Sequence, residues 1–393
     1  MATGGKRAAP CAVKVEEFDN GRVSLITGDI QAVDWAAFPA VQMIFTSPPY
    51  WNKRLYGHQS RDEELGQEKT PGEFVARLAD ILTALPLRDD GTCFVNIGDS
   101  FIGGKGMSGC GSDEKQKTRK NKGETITPSH NCAGGGKGAM KLGDDMREMR
   151  KLNLRPKCKA AVPERLILAM IERGWIYRNK LIWAKLNCLP HSAQDRQNEN
   201  FEEILMFVKS ARYKYDKYGV KVPLSEESIK REKYPVDRDY KGTRSGLSGA
   251  ARVEKTIDRA KLPRKQRQEK YKPGGEYHSN VGIHSAAVRN GEKQVGRDYA
   301  PLNSVWPLST ARHSSKVGEH IAPFPSELPR RAIMLATDKD DVVLDPFAGS
   351  GTTAAMAYLT GRRAIAVDID GRLPDFFRER VGSLFSGGGG GMV

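Results

Sequence analysis

Residues 341–370 read DVVLDPFAGSGTTAAMAYLTGRRAIAVDID, and the fold class turns on them. An apolar run, Val342–Leu344, ends in Asp345; F-x-G-x-G then opens a helix-forming segment, and a second apolar run ends in Asp368. Strand, glycine turn, helix and strand in that order form a βαβ unit, the building block of a parallel sheet. Gly349 and Gly351 let a ligand approach the backbone closely, and the helix N-terminus offers unpaired N–H groups. Asp368, 23 residues after Asp345, stands where an acid commonly accepts hydrogen bonds from ribose hydroxyls. No G-K-[S/T] follows, which excludes a phosphate loop, and Thr352, Thr353 and Ala354 replace the end of G-x-G-x-x-G, which disfavours NAD. A nucleoside cofactor without a pyrophosphate fits better, and S-adenosyl-L-methionine is the obvious one.

Other segments supply the rest of an α/β sheet. VSLITGDI (23–30) and VQMIF (41–45) read as strands, and GEFVARLADILTAL (72–85) carries Phe74, Leu78, Leu82 and Leu85 at helical spacing. Thr92–Ile97 is the next strand, ending in a polar turn at Asn96–Ser100. VPERLILAMIERGW (162–175) predicts a helix with Leu166, Ile167, Met170 and Ile171 on one side, followed by strands in YRNKLIWAK (177–185) and FEEILMFVK (201–209). Ser326 is placed to cap a helix running through Leu335, and Pro374 is expected to delay and shorten the last helix. Residues 1–22 read as an N-terminal tail, 23–210 as one half of the domain with a mobile Gly/Lys loop at about 101–150, 301–385 as the other half, and 386–393 as a flexible tail.

The charge is unevenly placed. Residues 211–300 hold 22 Lys+Arg against 12 Asp+Glu, a surplus of ten out of a net +15. Such a concentrated basic segment, broken by Gly and Pro and interleaved with tyrosines, points to a polyanion, most often nucleic acid, although a solvated surface loop has the same composition. Mean hydropathy is −0.55, no apolar run approaches the ~20 residues that span a bilayer, and residues 1–18 lack the apolar core of a secretory signal. Six dispersed cysteines without a C-x-x-C pair fit a reducing cytoplasm and argue against a metal site, Cys110 and Cys132 in the Gly-rich stretch included.

TSPPYW (46–51) ends the second strand in two prolines, which cannot donate ladder hydrogen bonds. By itself that is a rigid corner or a preorganised site. An exocyclic amino group on a base is a poor nucleophile because its lone pair is delocalised into the ring. Fixed hydrogen-bond acceptors for its N–H groups favour a pyramidal nitrogen aimed at a methyl donor. Ser47, the carbonyl of Pro48 and the ring of Tyr50, stiffened by Pro49, supply two acceptors and a stacking surface. Trp51 reads equally well as core or as a base contact, and Asp99 and Ser100 read as turn chemistry.

TSPPYW together with DPFAGSGTT resembles the DNA amino-methyltransferase family that makes N4-methylcytosine or N6-methyladenine. The motif order, tetrapeptide first, basic insert next and cofactor turn last, is similar to that family's β group. The resemblance runs from about Val23 to Val381, apart from the Gly/Lys loop and the insert. It implies a Rossmann-like, mostly parallel sheet of permuted order with residues 211–300 as an inserted target-recognition region. It also implies Ser47, Pro48, Pro49 and Tyr50 as catalytic residues, with the cofactor held by Asp29, Phe324, Pro325, Asp345, Phe347, Gly349, Ser350, Gly351, Thr352 and Asp368. Arg212, Lys214, Arg264, Lys265 and Arg267 are candidate DNA contacts. Two positions depart from the family pattern without touching the expected chemistry: Phe201 stands where a His often precedes the glutamate, and Ala184 intervenes before Lys185.

Within the family an opening serine leans toward cytosine N4, with adenine N6 second. Protein glutamine methylation also uses an x-P-P-Y turn but with the cofactor turn first, and a catalytically dead DNA-binding module would show a damaged site. The expected partners are double-stranded DNA and a cognate restriction enzyme. The expected setting is the cytoplasm of a bacterial or phage-infected cell, with the protein on the nucleoid as a monomer or homodimer.

Overall fold

The computed structural model describes residues 13–53, 64–102, 149, 151–188, 195–220, 222–223, 299–311 and 324–386. The chain divides into two units, Met1–Val220 with Pro301–Val393, and Lys221–Ala300. In chain order the strands are β1 (Lys14–Phe18), β2 (Val23–Thr27), β3 (Val41–Thr46), β4 (Leu87–Ile97), β5 (Ile176–Lys185), β6 (Phe201–Val208), β7 (Val222–Pro223), β8 (Tyr299–Ala300), β9 (Val305–Leu308), β10 (Val342–Asp345) and β11 (Arg363–Asp368). Among the described residues the named α-helices are α1 (Pro71–Ala84), α2 (Val162–Glu172), α3 (Glu327–Ala336), α4 (Thr352–Leu359) and α5 (Leu373–Ser386). In the second unit β7 and β8 pair antiparallel, Val222 opposite Ala300.

The first unit is built on a nine-stranded sheet of order β1-β2-β11-β10-β3-β4-β6-β5-β9. Strands β2, β11, β10, β3 and β4 run parallel, β9 runs parallel to β5, and β1 and β6 are antiparallel to their neighbours. The expected mostly parallel α/β sheet of permuted order is therefore present. The last two strands of the chain, β10 and β11, fill the middle of the sheet between β2 and β3.

Every residue of β3 is buried, as befits a parallel strand covered on both faces. An irregularity lies between Val41 and Met43, and side chains alternate from Met43 onward. Val41 and Ile44 join a core with Phe74, Leu78 and Leu82 of α1 and Leu166 and Met170 of α2. Met43 and Phe45 join the opposite core with Ile333 of α3, Ala355 of α4 and Phe377 of α5. The α1 N-terminus is closed by a capping box between Thr70 and Glu73, with Pro71 in the first turn.

Several expectations need correction. The N-terminal tail contains a strand: β1 pairs with β2 from Lys14–Thr27 to Phe18–Val23, because its backbone completes the open edge of β2. The insert boundary moves from 211 to 221, since Ala211–Val220 belongs to the first unit. There Lys214 bridges Asp338 and Asp341, and the Asp216 N–H donates to the Leu335 carbonyl at 2.7 Å. The last helix is not shortened: α5 has 14 residues, and Pro374 sits in its first turn, where a missing N–H costs nothing. Ser326 occupies the N-cap of α3, yet its hydroxyl makes no capping hydrogen bond because its backbone is already helical. Ile171 of α2 is 47 % exposed and lies off the buried stripe. Most of the Gly/Lys loop (103–148), the 387–393 tail and the two cysteines Cys110 and Cys132 lie outside the described residues. Among the described residues no helix is long and apolar enough to cross a membrane.

One loop contact links α2 to the turn after β4. Ala161, at the α2 N-cap, has φ 54° and no capping side chain. The Asp99 carboxylate takes that role, accepting from Ala161 N at 3.2 Å, Val162 N at 3.1 Å and its neighbour Ser100 N at 2.8 Å. Asp99→Ala should therefore lower stability by about 1–2 kcal/mol in urea unfolding, the usual range for losing an N-cap. An unchanged midpoint would show that water caps the helix as well.

Candidate active site

Because β3 and β10 are adjacent and parallel, the two turns that leave their C-terminal ends are side by side. Ligands of open α/β sheets bind at such strand ends. The juxtaposition is sealed by a buried hydrogen bond: Thr46 Oγ1 donates to Asp345 Oδ1 at 2.7 Å, and Phe347 N donates to the same oxygen at 3.2 Å. Burial pushes the Asp345 carboxyl up to about 6, against the pull of its hydrogen bonds. Its other oxygen, Oδ2, is buried with no hydrogen-bond partner among the described residues.

In the glycine turn, Gly349 and Gly351 have φ 52° and 70°, left-handed values that favour glycine. A Cβ on Gly351 would also meet Phe377 Cβ at 3.3 Å. Asp368 braces the turn, accepting from Gly349 N at 2.6 Å and from Asp370 N at 2.9 Å. Phe347 is half-buried beside it. Ser350 and Thr352 are both buried: the Ser350 hydroxyl accepts from Arg380 at 2.8 Å and shares a 3.2 Å hydrogen bond with Thr352. Their side chains thus hold α5 against the turn.

Asp29 caps a single helical turn, accepting from Gln31 N at 2.9 Å. The preceding Gly28 N donates to the Asp368 carbonyl at 2.9 Å, which brings this segment to the same edge as the glycine turn. Phe324 packs edge-on against Phe45, one residue before Thr46, with Pro325 half-buried next to it.

In the proline turn, Pro48 is buried and Ser47 and Tyr50 are half-buried. Trp51 is core, 2 % exposed, with its indole N–H on the Glu68 carbonyl at 2.9 Å. Ser100 Oγ donates to the Trp51 carbonyl at 2.7 Å, so Asp99 and Ser100 brace the turn and α2 together. One edge of the Tyr50 ring rests on Gly98, where an added Cβ would lie 2.8 Å from Cε2.

The sheet register gathers further polar groups on this face. Asn96 of β4 and Glu202 of β6 converge on the Tyr50 hydroxyl, with Lys185 of β5 paired to Glu202. The Tyr50 hydroxyl donates to Glu202 Oε2 at 2.7 Å and receives Asn96 Nδ2 at 3.1 Å, while Ser47 Oγ is 3.4 Å from Asn96 Nδ2. Sequence reasoning assigned no role to Asn96, Gly98, Glu202 or Lys185. The only local signal was their position at strand ends, and the two departures at Phe201 and Ala184 flank this cluster after all. Of the candidate DNA contacts, Arg212 is exposed, Lys214 is committed to Asp338 and Asp341, and Arg264, Lys265 and Arg267 lie outside the described residues.

A family model for N6/N4 methyltransferases, described as DNA methylase, matches residues 41–375. The chain belongs to that family. It is 28% identical over 344 residues to the Type II methyltransferase M.Cfr9I of Citrobacter freundii, covering 87% of this chain and 81% of the relative. It is 25% identical over 363 residues to the Type II methyltransferase M.SmaI of Serratia marcescens, covering 91% and 90%. Among solved structures, PvuII DNA methyltransferase (cytosine-N4-specific) aligns with a TM-score of 0.48 at 15% identity over 93% of this chain and 91% of that one.

Two outcomes test the geometry of this DNA methylase. Gly98→Ala places a methyl group where the Tyr50 ring lies, so methyl transfer should fall by about tenfold or more while cofactor affinity stays within about twofold. Equal activity would mean that Tyr50 has room to move. Asp345 has a raised carboxyl, so the folded state binds a proton more tightly than the unfolded chain. Its contribution is favourable below about pH 4 and is lost as pH rises through about 6. Thermal melts of Asp345→Asn should therefore improve relative to the parent between pH 4.5 and 7.5, by up to about 2–3 kcal/mol. A pH-independent difference would show that the carboxyl does not titrate there.

Proposed function

We propose that the protein transfers the methyl group of S-adenosyl-L-methionine to N4 of a cytosine in double-stranded DNA, with adenine N6 as the competing outcome. The observation that carries the reading is the Thr46–Asp345 hydrogen bond, which fixes the Ser-Pro-Pro-Tyr turn beside the glycine turn. The residues of the second turn fit the cofactor. The left-handed Gly349 clears the backbone, Asp368 stands at the end of β11 for ribose hydroxyls, and Asp345 Oδ2 is a buried acceptor lacking a donor among the described residues. Phe347 offers an apolar wall, and Phe324 with Pro325 closes the side nearer the proline turn. When bound, the cofactor supplies an electrophilic methyl group on sulfur.

The chain's own contribution is to orient the nucleophile. Ser47 Oγ and the Pro48 carbonyl accept the two N–H groups of the target amino group, drawing its lone pair out of conjugation and toward the donor. Tyr50 stacks on the base once it leaves the duplex, where the cost of unstacking is offset by the aromatic contact. With the cofactor held by Phe347, Gly349 and Asp368, its methyl group would pass from sulfur to that nitrogen, and the proton the nitrogen loses would go to solvent. Serine rather than aspartate at position 47 favours cytosine in this family. The basic segment 221–300 reads target sequence and phosphates, with Arg264, Lys265 and Arg267 as contacts, and a restriction endonuclease of the same specificity is the natural companion.

The deciding measurement is detection of modified bases in DNA from cells expressing the protein, which reports base and site together. N4-methylcytosine is expected; N6-methyladenine would overturn the choice of base, and neither would overturn the reading. Ser47→Ala should cut methyl transfer by about a hundredfold with cofactor affinity nearly intact, since it removes an acceptor used by the target alone. Parallel loss of both would assign Ser47 to the cofactor instead.

A further inference from the structure

Glu202 lies at the start of β6, where that antiparallel strand enters the sheet beside the C-terminal end of β4. Its side chain is 16% exposed and its partner Lys185 is 20% exposed. One carboxylate oxygen, Oε1, faces Lys185 Nζ at 2.5 Å. The other, Oε2, accepts two hydrogen bonds, from the Tyr50 hydroxyl at 2.7 Å and from Asn96 Nδ2 at 2.9 Å. A carboxylate this far from water needs compensation, and the lysine supplies it. An ionised oxygen also accepts two donors more strongly than a neutral one.

The arrangement has two geometric effects. A tyrosine ring has two soft torsions, and here its tip is held by Glu202 while one edge rests on the Gly98 backbone. The ring plane is thereby set before any base arrives. Only the N–H end of an amide can face a carboxylate, so Glu202 also decides which way Asn96 points. The amide is 1 % exposed, and its Oδ1 is left as a buried acceptor with no hydrogen-bond partner among the described residues. Its Nδ2 meanwhile lies 3.4 Å from Ser47 Oγ.

Resting on the methyl-transfer reading, we infer that Glu202, held by Lys185, is a positioning residue for the reaction. It preorganises the Tyr50 stacking surface and the Asn96 amide around Ser47, and it touches neither the base nor the cofactor. The role is geometric: Glu202 neither takes nor gives a proton during transfer.

Single-turnover transfer of labelled methyl to unmethylated genomic DNA tests this, with cofactor affinity measured separately by calorimetry. Glu202→Ala should slow transfer by about tenfold or more with cofactor Kd within about twofold. Tyr50→Phe removes the same hydrogen bond, so the double variant should be slower than Glu202→Ala by no more than about threefold. Glu202→Gln keeps an oxygen acceptor and should recover a substantial part of the rate, which also covers the case of an Ala variant that fails to fold. Additive losses, an unaffected Ala variant, or a Gln variant as slow as Ala would each overturn the positioning role. A parent enzyme that labels no DNA would overturn the underlying reading, whereas an active parent with an equally active Ala variant would remove this inference alone.

Discussion

A single buried hydrogen bond, Thr46 Oγ1 to Asp345 Oδ1, joins residues 299 positions apart and sets the two halves of the site against each other. It sits in a dry position, with both side chains at or below 1 % exposure. A neutral hydroxyl and a carboxyl there are worth most to each other because no water competes. The acid also receives Phe347 N, so the bond that aligns β3 with β10 begins the glycine turn as well. Displacing either strand by a residue would break this contact and turn Ser47 away from the glycine turn.

Around that contact the sheet behaves as a ruler. Alternation sends Ile44 and Val95 to the core under α1 and α2, and Met43, Phe45 and Phe94 to the core under α3, α4 and α5. The same alternation carries Asn96, two residues after Phe94, and Glu202, two residues before Ile204, to the face of those core residues. The polar cluster is therefore a continuation of an apolar core at the strand ends.

Much of this was legible from the chain. The strand-turn-helix-strand unit at 342–368, the strand into TSPPYW and the helix at 71–84 all follow from local periodicity and from glycine and proline chemistry. What misled was also local. Pro374 reads as a breaker by composition, yet in a first turn it lacks only an N–H that has no partner anyway. Residues 14–18 alternate charge and apolar groups too weakly to announce a strand, and β1 exists because the edge of β2 accepts it. Lys214 sits among basic residues and so reads as a phosphate contact, but two aspartates from a distant loop claim it.

The sequence by itself determined the chemistry on offer: acceptors at Ser47 and Pro48, an aromatic at Tyr50, a glycine turn after Asp345 and an acid at Asp368. These depend on short-range rules that a few neighbouring residues satisfy. Only the tertiary structure decided that β10 lies beside β3, that Glu202 grips Tyr50, and that Ser350 and Thr352 face α5. Strand partners and register are chosen by burying two cores at once, and that choice depends on packing across the whole unit. No local window contains it, and it is what turned a proline corner and a glycine turn into one site.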